Sequence, residues 1–149
     1  MEIITKIFDL NLGDLVPELD SVLGLIRFAL KAAVLLGPVI LLVLGLIYLF
    51  RPPKEANHRF GFRTYFGMGS VEAWRFTQRI AGLAFTALGG ILLIIMFIVV
   101  LSFGKDDYMA MARGAMTSLL WQAGLTVLTW LALNITAAVT FDKDGNRRR

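Results

Sequence analysis

The chain has 149 residues, of which 57% are hydrophobic and 17% charged, with a formal net charge of +4. Soluble domains carry roughly a quarter charged residues, so this composition excludes an ordinary water-soluble globule and points to one membrane domain. Cysteine is absent, which removes disulfides, thiolate metal sites and cysteine nucleophiles together.

The N-terminal arm, residues 1–16, comes first. Ile3, Ile4, Ile7 and Phe8 recur at helical spacing among Glu2, Lys6 and Asp9, a pattern that predicts an amphipathic helix lying in the membrane interface. Asn11 to Pro17, with Gly13 inside it, predicts a turn. The first membrane helix is expected over about 20–50 and is free of charge from Ala32 to Phe50. Gly37-Pro38 inside it predicts a kink, because Pro38 has no N–H for the carbonyl four residues earlier. A second helix is expected over 71–103, and a third over 116–141, where Gln122 and Asn134 are polar but nothing is ionisable. Each run reaches the ~20 residues needed to cross a hydrocarbon core of ~30 Å. The expected fold is therefore an all-α integral membrane protein: three transmembrane helices behind the amphipathic arm. No cleavable leader is expected, since the N-terminus is acidic and the apolar run starts late.

Basic residues set the expected orientation. Arg51, Lys54, Arg59, Arg63, Arg75 and Arg79 lie between the first two spans, and Lys143, Arg147, Arg148 and Arg149 follow the third. The loop between the second and third spans has Lys105 and Arg113, offset by Asp106 and Asp107. Cytoplasmic loops are the basic ones. The N-terminus is thus expected outside, the 51–70 loop and the C-terminus inside.

That basic loop carries the pattern of most interest. Pro52-Pro53 ends the first helix, and Gly61, Gly67 and Gly69 predict a compact turn-rich stretch. Ser70 is the expected N-cap of the second helix, with Glu72 in its first turn. Along that helix Arg75, Gln78, Gly82, Thr86 and Gly89 share one side, a polar end running into a small-residue groove that another helix can approach closely. The order Asn57, Phe60-Gly61-Phe62-Arg63-Thr64, Ser70, Trp74, Phe76 and Gln78-Arg79 resembles the signature of the SdpI family of small bacterial membrane proteins. The resemblance implies a bacterial cytoplasmic membrane. It also implies immunity to a secreted toxic peptide, or signalling by holding a repressor at the membrane. On it, the binding residues are Asn57, Gly61, Arg63, Thr64, Ser70, Trp74, Gln78 and Arg79.

Physical readings of the same residues stand beside it. Arg59 and Arg63 either hold an anion such as a lipid phosphate, with backbone N–H groups of the glycine-rich turn, or touch headgroups without selectivity. Arg63 has a third reading, capping carbonyls at the end of the first span. Trp74 is expected as a headgroup-level anchor, and Asn57 and Thr64 as turn-closing side chains. In the third helix Gln122, Thr126, Thr129, Thr136 and Thr140 share a narrow arc. They are expected to pack on the Gly82/Thr86/Gly89 groove or to line water, while Asn134 lies off that face and suits an oligomer contact.

Catalysis finds little support. His58 is the only histidine and, with Glu55, supplies too few ligands for a metal. No carboxylate lies inside a span, and the Gly67/Gly69 pair lacks the strand–helix setting of a nucleotide fingerprint. No cofactor, metal or enzymatic activity is expected. Nor is nucleic acid, because no soluble surface remains to present the basic residues. The expected partners are membrane lipids, a peptide or protein, or a second copy in a homo-oligomer. An accessory subunit of a larger assembly and an oligomeric channel or carrier are the alternatives.

Overall fold

The computed structural model describes the backbone of residues 2–54, 56, 60–104 and 107–148, with side chains from Ser21 onward. Three helices make the molecule: α1 (Glu2–Phe50), α2 (Val71–Ser102) and α3 (Tyr108–Thr140), with a 3-10 turn at Phe66–Met68 ahead of α2. The stretches Ser21–Phe50, Val71–Ser102 and Tyr108–Thr140 are each long and apolar enough to cross a membrane. The all-α, multi-span architecture follows. The backbone of α1 is helical through residues 11–17, where the sequence suggests a turn. The side chains of residues 1–20, and with them the expected amphipathic arm, lie outside the described residues. α3 begins at Tyr108 rather than near residue 116. Asp107 caps it by accepting from the Ala110 N–H at 2.8 Å, and Met111 and Ala115 are buried. The first turns of α3 are thus an amphipathic extension of the apolar run.

The tightest packing joins α1 and α2. A side chain at Gly45 would collide with the backbone of Thr86, one at Gly82 would come within 2.9 Å of the Leu49 N, and one at Gly89 within 2.5 Å of the Leu42 N. Without a hydrophobic drive between helices in lipid, such close backbone approach is what holds them. The Gly82/Thr86/Gly89 groove is therefore filled by α1, not by the threonine face of α3. The reason is complementary size: α1 brings its own glycine, Gly45, opposite Thr86, whereas α3 would bring bulkier side chains. The core has two clusters. One joins Val34, Leu92, Met96, Val100 and Ala115, and the other joins Tyr48, Phe62, Ala81, Phe85 and Leu133 at the loop end. Outward residues such as Ile94, Ile98, Leu101, Leu120, Leu128 and Ile135 are exposed, as a lipid-facing surface requires.

Among the polar contacts that attach α3 to α1, one repairs a defect. Pro38 has no N–H, so the Val34 carbonyl loses its helical donor. The Gln122 side chain supplies the missing hydrogen bond, Nε2 donating to the Val34 oxygen at 3.0 Å. Gly37 makes room for it, since a Cβ there would lie 2.5 Å from the Gln122 Oε1. The other hydroxyls of the stripe look inward to their own helix. Thr126, Thr129, Thr136 and Thr140 each donate to the carbonyl four residues earlier, at 2.7–2.8 Å. Asn134 does the same to Trp130. Satisfied locally, these hydroxyls need neither water nor another helix as a partner. At the opposite end, the Arg27 guanidinium donates to the Tyr108 hydroxyl at 2.6 Å and lies 5.1 Å from the ring centroid.

Two stability predictions follow from this packing. Gly89→Ala should destabilise the protein by about 1–3 kcal/mol through overpacking, whereas Gly90→Ala, with open space around it, should not. Equal thermal melting of the two variants in detergent would contradict the close contact. Gln122→Leu should cost about 1–3 kcal/mol by orphaning the Val34 carbonyl. In a Pro38→Ala background, where the backbone regains an N–H for that carbonyl, the cost should fall. A double-mutant cycle with no coupling would refute the repair.

Candidate functional site

The loop between α1 and α2 is clamped by two side chains one helical turn apart on α2. Trp74 and Gln78 are both fully buried. The Gln78 amide pairs with both peptide groups of Phe62: its Nε2 donates to the Phe62 oxygen at 2.7 Å, and the Phe62 N–H donates to its Oε1 at 2.9 Å. This is the two-bond exchange that one strand residue offers another, here made by a side chain. It satisfies both buried backbone groups at once. The Phe62 ring then packs edge-on to Phe85 at 5.5 Å. Gly61 is required twice over. Its φ of +125° suits glycine, and a Cβ there would lie 2.6 Å from the Trp74 ring. The Trp74 indole N–H donates to the Pro53 oxygen at 2.9 Å. Trp74 is thus the buried post on which the loop rests, not a headgroup anchor.

The rest of the motif builds the turn into α2. The Thr64 hydroxyl accepts from the Gly67 N–H at 2.9 Å and its carbonyl from the Met68 N–H at 3.2 Å, while the Gly69 N–H closes the 3-10 turn on the Phe66 oxygen at 3.5 Å. Gly67 fits because a Cβ there would fall 2.5 Å from the hydroxyls of Thr64 and Thr77. Ser70 caps α2, its Oγ accepting from the Ala73 N–H at 3.1 Å. The same hydroxyl donates to the Gly145 oxygen at 2.8 Å, which brings in the chain's tail.

That tail folds back as a short hairpin bridged between Phe141 and Arg147. The Asp142 carboxylate accepts from the Asn146 N–H at 2.8 Å and the Asp144 N–H at 3.0 Å. The Asn146 N–H, above all, holds its carboxyl below the usual range against a smaller opposing effect of desolvation. Phe141 packs on Phe76 at 5.4 Å, Arg147 pairs with Glu72 at 3.3 Å, and Arg148 donates to the Phe141 oxygen at 3.1 Å. Helical and strand periodicity both pass over this hairpin. Its signal is the run Asp142-Lys143-Asp144-Gly145-Asn146, whose composition favours a tight turn.

With the neutral motif side chains turned inward, the cations are left outside. Arg63, Arg75, Arg79 and Lys54 are all exposed. Three of them border a groove of about 510 Å³ between the end of α1 and the start of α2. Tyr48, Leu49, Phe50, Pro52 and Pro53 form its apolar wall, and Lys54, Arg75 and Arg79 its rim, with no acidic residue among the described residues of the lining. Of the motif residues, then, Gly61, Trp74 and Gln78 meet in one clamp, Thr64 and Ser70 shape the adjoining turn, and Arg63 and Arg79 point away from it. Asn57 and Arg59, with Glu55 and His58, lie outside the described residues. Gly82, Thr86, Gly89, Gln122, Thr126, Thr129 and Thr136 belong to the helix interior and not to the loop. Among the described residues no cluster of His, Asp and Glu could hold a metal.

Gln78→Leu should therefore cost about 2–3 kcal/mol by orphaning both peptide groups of Phe62. Trp74→Phe, which loses the bond to Pro53 and leaves a void where the outer indole ring meets Gly61, should cost about 2–4 kcal/mol. Wild-type melting of either variant would argue against the clamp. The Asp142 carboxyl titrates lower in the folded hairpin than in a free chain. Its contribution is thus present above the unfolded value and lost as pH falls through the folded one. The Asn146 amide resonance should titrate with a midpoint below the usual aspartate range, and a midpoint within that range would show the turn unformed.

A family model described as the SdpI/YfhL protein family matches residues 54–141, more than half of the chain. Neither the curated proteins nor the solved structures give a match. The matched stretch opens at Lys54 on the rim of the groove, contains the whole clamp and closes at Phe141, where the tail turns back. The chain is a multi-pass membrane protein belonging to the SdpI/YfhL family.

Proposed function

We propose that this protein acts by recognition and not by catalysis. The motif loop is a pre-folded platform on the cytoplasmic face of a bacterial membrane. It engages a peptide, lipid or protein partner in immunity to a toxic peptide or in signalling. One observation carries the reading: the polar atoms of Thr64, Ser70, Trp74 and Gln78 are each engaged in bonds that hold the loop, while Arg75 and Arg79 stay exposed on the rim of a groove and Arg63 is exposed elsewhere on the loop. Groups that do acid–base or nucleophilic work need free polar atoms aimed at a substrate. A platform needs its polar atoms spent on shape and its charges turned outward. An accessory-subunit reading draws on α3, where only 11% of the most apolar window is buried, leaving its side free for another membrane protein.

The test is protection. Cells lacking the protein, grown in medium conditioned by their siblings, should lose survival that the wild-type chain restores. The Arg63→Ala/Arg79→Ala double variant should insert and melt like the wild type yet fail to restore it. Full rescue by the double variant would sink recognition through this face. A stoichiometric larger membrane protein co-isolating with both forms would favour the accessory reading.

A further inference from the structure

We infer that the groove between the end of α1 and the start of α2 binds the phosphate of an anionic phospholipid, with Arg75 and Arg79 as its paired ligands; this rests on the recognition reading and names the ligand class. Charge is the first argument. Lys54, Arg75 and Arg79 rim the groove, and among the described residues no carboxylate lines it. Glu72, the nearest acidic residue on α2, is engaged by Arg147 from the tail. The described lining of the groove therefore carries three positive charges.

Spacing is the second. Arg75 and Arg79 sit four residues apart on α2, so their side chains are neighbours about one helical turn apart. Two planar guanidinium groups at that separation can grip one phosphate from both sides with charge-assisted hydrogen bonds. Lys54 adds a third cation from the loop.

Position and shape are the third. The groove opens where the apolar stretch Ser21–Phe50 ends, which is the level of the headgroups. Its wall is apolar below the cations, with Phe50 78% exposed beside it, so the top of an acyl chain has a surface to lie on. Pro52 and Pro53 stiffen the far wall, and the Trp74 bond fixes Pro53 in place. A preformed site of this kind loses little affinity to ordering. A volume of about 510 Å³ takes a headgroup and its glycerol but not a folded protein segment. A zwitterionic lipid would bring its own amine against three cations, so anionic lipid is selected.

The experiment is native mass spectrometry of the full chain, delipidated in mild detergent and titrated separately with phosphatidylglycerol, phosphatidylcholine and inorganic phosphate. Wild-type protein should retain one phosphatidylglycerol in preference to phosphatidylcholine. Arg75→Gln/Arg79→Gln should weaken that binding about tenfold or more, while Lys143→Gln, at the same end of the molecule, should leave it unchanged. Unchanged binding in the double variant, equal retention of phosphatidylcholine, or an equal loss in Lys143→Gln would each overturn the inference. So would displacement of the lipid by equimolar inorganic phosphate, which would assign the site to a free anion. The survival assay, run on the same Arg75→Gln/Arg79→Gln variant, separates the two readings. A variant that loses protection but keeps phosphatidylglycerol refutes the lipid site and leaves recognition standing, whereas one that keeps both refutes both.

Discussion

The pairing of the Gln78 amide with the Phe62 peptide is the interaction on which the loop depends. A segment linking two membrane helices has no sheet or helix to satisfy its backbone, and an unpaired buried peptide group costs about 1–3 kcal/mol. One side chain with a donor and an acceptor in a plane solves this for Phe62 in both directions. The Phe62 ring is then committed to the cluster with Tyr48 and Phe85, and Gly61 is laid across Trp74. Trp74 in turn fixes Pro53. The far wall of the groove is thus held by bonds that start inside α2.

The near wall depends on helix packing. Gly82 lets the backbone of Tyr48 and Leu49 lie against α2, where any Cβ would collide. That contact places the last turn of α1 beside the turn of α2 that carries Arg79. The same logic recurs deeper in the bundle at Gly45 and Gly89. Further along α1, Gln122 restores the hydrogen bond that Pro38 removes, so that helix crosses the proline with its carbonyl satisfied. A polar side chain inside the membrane here works as a backbone substitute. Gln78 and Gln122 play the same part at two levels of the fold.

Much of this was legible in the residues. The three spans were written in their length and freedom from charge, and the N-cap at Ser70 in its place before Glu72. Pro38 and Gln122 were each noticeable alone. Their partnership was not, because periodicity reports which residues share a face of one helix and says nothing about which face meets which. The same limit assigned the Gly82/Thr86/Gly89 groove to α3: Gly45, the residue that decides for α1, sits in an apolar run where it gives no periodic signal. Trp74 misled for a different reason. Tryptophan near a span end usually prefers the headgroups, and only Gly61, with room for nothing but the indole beneath it, marks this one as interior. Gln78 and Arg79 are adjacent in the motif, yet neighbouring positions on a helix point in different directions, one into the clamp and one out to the groove.

The tail adds a consequence for electrostatics. Arg147 sits beside Glu72 at 3.3 Å, both well exposed, and such a pair contributes roughly 0–1 kcal/mol to stability. It cannot be what holds the hairpin down. The Ser70–Gly145 bond, the buried Phe141 and its contact with Phe76 do that. What the pair changes is the field. Glu72 lies one turn before Arg75 and two turns before Arg79 on α2, and an unengaged carboxylate there would draw on the same guanidinium groups that the groove presents. Bringing a cation from the tail onto Glu72 lessens its pull on Arg75 and Arg79, both of which face outward. The hairpin therefore shapes the charge of a site whose lining it never joins. Cations placed this way are worth more at a membrane surface than in bulk water, because the surrounding medium screens them less.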